Sequence, residues 1–458
     1  MNANPVVVKF SLLLLGLFFF ASNVWAGLNI QHWQTAQGAR VVFVENHDLP
    51  MLDISVDFAA GSVRDSREKS GLANLTRHLM KLGAGVYSER DIAEKLADVG
   101  AVMSGRFDTE RSGFSLRTLS GANEREQAVA VLAAVLAQPH FDAGVLEREK
   151  SRVVAGLEEA ATKPESIGEK AFQAALYGEH GYALNEGGEV ATVKALSQSD
   201  LANFYRTHYR AKNMVIALMG DVTRGQAEAI AERLAADLPP GEAPSPIAEV
   251  QIKVIGEAQV IPHHATQSHL MLGLPAIKRE DPEYFPLLVG NYVLGGGGFD
   301  SRLMQSIRQK KGLAYSVYSY FSPMQSWGRF QIGLQTKRDA TQDALLTARE
   351  ELTRYLAEGP TEAELTQAKN NMIGGFPLRI DSNRKILEFL SMIGFYRLPL
   401  DWLETYSAKV DAVTQEDILR AFRARVIPTA MMTVIVGGQT EGAGAERAEA
   451  NSDASRTR

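Results

Sequence analysis

The chain has 458 residues, 45% of them hydrophobic and 22% charged, enough apolar surface for more than one core, which excludes a single small module and a disordered chain. Its 48 Lys and Arg against 54 Asp and Glu give a net charge of -6, which excludes a nucleic-acid binder that works by neutralising phosphates. There is no cysteine, so disulfides, thiolate metal sites and thiol nucleophiles are excluded, and any metal would have to sit on histidines and carboxylates.

Lys9 precedes an apolar run from Phe10 to Ala21, and Val24 and Ala26 stand at the tolerated positions ahead of a cleavage site, the pattern of a secretory signal peptide over 1–26. The uninterrupted run is 12 residues long, short of the roughly 20 that a spanning helix needs. The expected product is an exported protein without stable membrane insertion, periplasmic in a Gram-negative host.

In the first half, residues 27–238, the pattern predicts strands over Arg40–Glu45 and Leu52–Ala59, then a helix over Ser70–Met80. On that helix Leu72, Leu75 and Leu79 share one arc, and Asn74, Arg77 and His78 project on the opposite side. An alternating strand over Ser112–Leu119 follows, then a long amphipathic helix carrying Leu146 and Lys150, a helix start at Ser197 and a buried strand over Met214–Gly220. Four prolines between Pro239 and Pro246 can continue neither a helix nor a sheet interior, so 239–249 reads as a linker.

The second half, residues 250–438, opens with a strand over His269–Leu274. Gly295 to Gly298 read as a flexible loop, since no phosphate-loop pattern follows them. A helix carrying Leu303, Ile307 and Arg308 is broken at Gly312, and Tyr315 sits on an alternating strand over Leu313–Phe321, a spacing that lets Arg308 and Tyr315 converge on one cleft. An ordinary surface arginine and a sheet tyrosine would fit the same spacing. His263, His264 and His269 lack a carboxylate at ligand spacing and read as solvated or edge-strand histidines. Residues 439–458 are small and polar, without apolar periodicity, and read as a disordered tail.

The halves look like copies of one another. At an offset of 217, Ser197–Leu201 faces Thr414–Ile418, each a capped helix start, and Met214–Gly220 faces Met431–Gly437. At an offset of 219, Leu146, Lys150, Gly156 and Leu157 face Leu365, Lys369, Gly375 and Phe376. The clustering of strands and of helices predicts an α+β fold: two tandem homologous units, each a mostly antiparallel sheet packed against helices.

The spacing of Asn74, Arg77 and His78 is that of the inverted zinc motif His-x-x-Glu-His. With that helix, Leu176–Tyr182, Met219–Val222, Leu294–Phe299 and above all Ser301 through Ser316, nearly the whole mature chain resembles the insulinase/pitrilysin-type zinc peptidases, the group that includes mitochondrial processing peptidase. The resemblance also marks departures. Asn74 stands where the family has its first zinc histidine and Arg77 where it has the catalytic glutamate; only His78 is kept. The positions matching the third ligand are Ala155 and Gly156, with Glu158 and Glu159 a turn out of place. An amide is a poor zinc ligand and an arginine sets a permanent cation against the metal, so no zinc is expected in this chain. His78 alone reads as a structural histidine hydrogen-bonded to backbone.

The resemblance implies that Arg308 and Tyr315 hold substrate backbone and stabilise the oxyanion at the zinc of another unit, and that Met103, Ser104, Gly105, Arg106 and Phe107 form a sheet edge on which a peptide adds as a strand. The expected function is the non-catalytic subunit of a two-chain periplasmic zinc metallopeptidase, inactive alone, with zinc in a homologous partner that keeps His-x-x-Glu-His. The alternative is a peptide-binding pseudoenzyme or scaffold. An independently active peptidase would need zinc on His78 and displaced carboxylates.

Overall fold

A computed structural model describes residues 28–252 and 256–437, so the leader over 1–26 and the tail over 439–458 lie outside the described residues. None of the helices among them is long and apolar enough to cross a membrane.

Six strands make the first sheet: β1 (Gln31–Gln34), β2 (Arg40–Glu45), β3 (Met51–Phe58), β4 (Val102–Phe107), β5 (Ser112–Leu119) and β6 (Met214–Gly220), in the order β1-β2-β6-β3-β5-β4. Five make the second: β7 (Ala258–Ile261), β8 (Gln267–Ile277), β9 (Ala314–Phe321), β10 (Gly328–Lys337) and β11 (Met432–Val436), in the order β9-β10-β8-β11-β7. All neighbours are antiparallel except β2 with β6 and β7 with β11. Followed from those parallel pairs, β2-β6-β3-β5-β4 and β7-β11-β8-β10-β9 share one connectivity. The duplication is therefore one of topology as well as of sequence.

The topology also corrects one correspondence. Alternation sets Ser112–Leu119 against Leu313–Phe321, but the strand equivalent to Ala314–Phe321 is Val102–Phe107, and Ser112–Leu119 corresponds to Gly328–Lys337. Neighbouring strands of a meander share the period of 2, so alternation cannot tell them apart.

One face of the first sheet carries Leu52, Ile54, Val56 and Phe58, fully buried in a core with Leu72, Leu75 and Leu79 of helix α1 (Leu72–Met80). The helices α2 (Ala143–Ala160) and α4 (Glu362–Gly375) occupy equivalent places in the two halves, and each is followed by a helix that crosses to the other half: α3 (Pro164–Tyr177) and α5 (Asn383–Tyr396). Phe172 and Leu176 of α3 pack on Met271, Met432 and Val434 of the second sheet. Ile386, Leu387 and Leu390 of α5 pack on Val42, Val44 and Met219 of the first. Each sheet thus buries one face against a helix lent by its twin, and each large apolar side chain so buried contributes roughly 1.5–3 kcal/mol. The approach is close enough to favour glycine at both crossings, most strongly at Gly394. A Cβ at Gly168 of α3 would lie 3.1 Å from Val436, and one at Gly394 of α5 would lie 2.7 Å from Val215.

Residues 239–252 form neither helix nor strand, and this proline-rich stretch is pinned where Arg64 Nη1 donates to the Ser245 carbonyl at 2.7 Å.

Candidate functional site

The first group is built on α1. Its start is fixed from outside the helix, because the buried Asp65 carboxylate accepts from the N–H of Gly71 at 2.8 Å and of Ala73 at 2.9 Å, satisfying donors that have no partner within the helix. Leu72, Ala73, Leu75, Thr76, Leu79 and Met80 are buried, which leaves Asn74, Arg77 and His78 half-buried on the other side, as the periodicity predicts.

What those three residues touch is specific. Arg77 Nη2 donates to Asn74 Oδ1 at 3.0 Å, and the Asn74 amide donates to the Glu186 carbonyl at 3.3 Å. The guanidinium lies along β4: a Cβ at Gly105 would meet Arg77 Nη1 at 1.9 Å, and the Phe107 ring centre is 6.0 Å from Cζ. Burial depresses the Arg77 pKa from its ordinary value, and its Nε is buried without a hydrogen-bond partner among the described residues.

His78 corrects an expectation. Its partner is not backbone but Glu149 of α2, with Nε2 3.0 Å from Oε2. The other Glu149 oxygen accepts from Arg148 Nε at 2.7 Å and Arg152 Nη1 at 2.8 Å. Burial pushes the His78 pKa down, and the Arg77 cation adds to this against the opposing pull of Glu149. Burial pushes Glu149 up, but hydrogen bonds from Arg148 and His78 outweigh it and the net shift is downward. A neutral imidazole donating to a carboxylate satisfies both shifts. Glu149 was missed in the sequence because it falls at neither of the positions matching a ligand.

These donors do not fit a zinc ion. The Asn74 amide is engaged at both ends, the Arg77 cation lies between the motif and the sheet edge, and His78 and Glu149 are satisfied by each other and by two arginines. Among the described residues no three His, Asp or Glu side chains form a group that could hold a metal. Glu158 and Glu159 pair with the surface lysines Lys194 and Lys163 and do not reach His78, and a Cβ at Gly156 would meet open space. His263 lies 3.2 Å from the Thr162 carbonyl, and His269 lies beside Gln335.

Arg308 and Tyr315 form the second group. Arg308 lies in a segment of wide, π-type helical turns, Met304–Lys310; Gly312 at φ +62° reverses the chain, and Leu313 N–H closes the turn on the Ile307 carbonyl at 2.9 Å. On entering β9 the chain pairs Ala314 with Thr336 and then Ser316 with Gln335, so Tyr315 is the extra residue of a β-bulge. The bulge turns its ring outward, where it is 80% exposed. The Arg308 guanidinium is sandwiched between two rings, its Cζ 4.5 Å from the centre of Tyr315 and 4.7 Å from that of Phe299. Among the described residues neither the Arg308 N–H groups nor the Tyr315 hydroxyl has a hydrogen-bond partner, so these donors are pre-placed and unspent.

Phe299, unassigned by the sequence reading, closes the glycine-rich segment. That segment is not the loop expected: Tyr292–Gly296 is a further wide helical turn, and a Cβ at Gly295 would meet Ser319 Oγ at 2.4 Å. Gly295 serves close packing against β9, Gly296 and Gly297 close packing against Asn291 and Tyr292 of the preceding turn, and Gly298 adopts φ +62°.

The strand holding Met103, Ser104, Gly105, Arg106 and Phe107 is β4, at the edge of the first sheet, and its topological twin β9 holds the corresponding edge of the second. Arg106 reaches across the sheet face toward the buried Asp57, 3.5 Å away. No hydrogen bond, ion pair or ring contact among the described residues joins the α1 group to the Arg308–Tyr315 group.

Residues 40–185 match the family described as "Insulinase (Peptidase family M16)", and residues 195–372 match that described as "Peptidase M16 inactive domain". A crystal structure of a peptidase M16 inactive domain from Pseudomonas fluorescens superposes with a TM-score of 0.87 at 36% identity, over 90% of this chain and 98% of that one. A non-peptidase homolog of Helicobacter pylori is 26% identical over 82% of this chain and 87% of its own length. An uncharacterized zinc protease of Streptomyces coelicolor is 27% identical over 78% of this chain and 79% of its own. With two family models matched in order along the chain and its ligand and base positions held by Asn74 and Arg77, the chain belongs to the insulinase (M16) peptidase family as a non-catalytic member.

Proposed function

We propose that this chain is the Arg/Tyr-bearing subunit of a two-chain zinc-dependent metallopeptidase of the periplasm, acting in trans on peptides cleaved at the zinc of a homologous exported subunit with an intact His-x-x-Glu-His helix. The observation that carries the reading is the Arg308 guanidinium held between Phe299 and Tyr315 with its donors and the Tyr315 hydroxyl unspent. A phenol O–H and a guanidinium are the groups that compensate negative charge growing on a peptide carbonyl oxygen. Tyr315 donates to that oxygen as the carbonyl becomes tetrahedral. Arg308 grips a neighbouring substrate carbonyl before and during the step. The edge β4, with Met103 to Phe107, offers main-chain groups to an extended peptide and so binds with little sequence preference.

The test is peptide turnover by this chain mixed with a zinc-bearing homologue. Tyr315→Phe keeps the ring over Arg308 but removes the donor, and should lower kcat by roughly 10²- to 10³-fold with partner binding and partner zinc content unchanged. Arg308→Ala should raise KM as well. Full activity from the double variant would move the reading to a peptide-binding pseudoenzyme.

A further inference from the structure

Where the two halves meet behind the linker there is a cavity of about 690 Å³ whose wall is strongly basic. Arg40, Arg64 and Lys212 come from the first half, and Lys278, Arg279, Arg397 and Arg425 from the second, against two carboxylates, Glu280 and Asp281. Three of the cations are accounted for locally. Arg425 Nη2 holds Asp281 at 2.8 Å, Lys212 pairs with Glu242, and Lys278 pairs with Glu249. The other four form no ion pair with a carboxylate among the described residues, though Glu110 attracts Arg64 without touching it. Arg64 donates to backbone carbonyls of Ala59 and Ser245, and Arg279 stacks on Tyr396 with its centre 4.5 Å away.

Bringing guanidiniums together with so little counter-charge is unfavourable, most of all for the half-buried Arg40, Arg64 and Arg279, and one sign of that is plain here. Arg40 Nη1 and Arg279 Nε are buried with no hydrogen-bond partner among the described residues. Arg40 and Arg397 also repel each other, which adds to burial in depressing the Arg40 pKa to about 10. Arg397 sits at φ +55° as the left-handed cap that ends α5, its N–H donating to the Ile393 carbonyl. A fold carries such a cluster at a cost unless an anion completes it. The remaining wall suits the rest of a small molecule, with Trp327, Phe395 and Tyr396 on one side and the linker residues Ala243 to Pro246 on another.

We propose that this cavity binds a small phosphate-bearing molecule, its phosphate oxygens taken by Arg40 and Arg64 from one half and Arg279 and Arg397 from the other. Guanidinium forks match phosphate oxygens in pairs, and a group held from both halves and walled by the linker fixes the halves relative to one another. The site is separate from the Arg308–Tyr315 pair and stands whether or not the chain serves a peptidase.

The experiment is calorimetric titration of the mature chain with pyrophosphate at physiological salt, with citrate as a carboxylate of similar charge. Saturable binding at one site per chain is expected, with citrate at least ten-fold weaker. Arg397→Gln, a change at an exposed residue that leaves packing alone, should weaken pyrophosphate at least ten-fold; Arg40→Gln with Arg397→Gln should abolish the signal. Arg90→Gln, on a remote surface helix, should leave the affinity unchanged. No saturable binding, citrate as tight as pyrophosphate, or equal losses from Arg397→Gln and Arg90→Gln would each overturn the proposal.

Discussion

The guanidinium of Arg77 fills the space that a side chain at Gly105 would occupy, tying the motif helix to the edge of the first sheet. This relationship makes the helix's departure from the zinc motif a structural commitment, since the residue that replaces the base also braces β4. Gly105→Ala must displace the Arg77 tip and its 3.0 Å bond to Asn74, and should destabilise the fold by about 1 kcal/mol. In an Arg77→Ala background the same change should be neutral or stabilising, because alanine in a strand costs less backbone entropy than glycine. A double-mutant cycle by urea unfolding reads the coupling; its absence would show that the contact carries no energy.

Glu110 is the polar counterpart of the exchanged helices. Only 1% exposed, it accepts from the hydroxyls of Tyr182 and, at 2.8 Å, Tyr396, and from the Gln325 N–H at 2.8 Å, so one carboxylate of the first half collects donors from both. Tyr396→Phe should cost about 1.5–3 kcal/mol, the range for a hydrogen bond to a charged group, and Glu110→Ala more, because several buried donors lose their acceptor at once. Urea unfolding followed by circular dichroism measures both. A Glu110→Ala loss no larger than that of Tyr396→Phe would show the cluster to be already open to water.

His208 gives the fold a sensitivity to acid. Its ring packs 4.4 Å from Phe204, its Nδ1 is buried without a partner among the described residues, and burial, helped by Arg64 and Arg210, pushes its pKa down to about 4 from the usual 6.5. Between those values an unfolded chain takes up a proton that the folded chain refuses. The stabilisation is therefore fully present above about pH 6.5 and is lost as the pH falls toward about 4, up to roughly 3 kcal/mol in all. His208→Gln should flatten the dependence of unfolding free energy on pH across that window. An unchanged slope would mean that the histidine protonates in place.

The fold was legible where local pattern and burial agree. The strands Arg40–Glu45, Ser112–Leu119 and Met214–Gly220 and the capped starts at Ser197 and Thr414 stand where periodicity and capping chemistry put them. The candidate site was legible only in part. Asn74, Arg77 and His78 share a helix face, and Arg308 with Tyr315 converge, because both follow from short-range spacing. Partners distant in sequence were not legible: Glu149 lies 71 residues from His78, and no spacing rule connects Arg77 to Gly105. The glycine run misled for a related reason, since Gly295 marks a close approach to Ser319, 24 residues on, and not freedom of the chain.

The metal prediction joins these strands. The mature protein should carry far less than one zinc per chain after dialysis, because the donors that remain at the motif are engaged with one another. Asn74→His with Arg77→Glu supplies a second imidazole and removes the cation, yet leaves the metal short of a third protein ligand. Gly156 lies seven residues after Glu149, two turns along the same face of α2, and nothing lies within 4 Å of a Cβ there. Gly156→Glu should therefore be tolerated, and only the triple variant should approach one zinc per chain, losing it again on His78→Ala. Elemental analysis of these proteins decides. Near-stoichiometric zinc in the unmodified chain, lost on His78→Ala, would overturn its assignment as the non-catalytic member; a triple variant as empty as the double would place the missing ligand elsewhere than at Gly156.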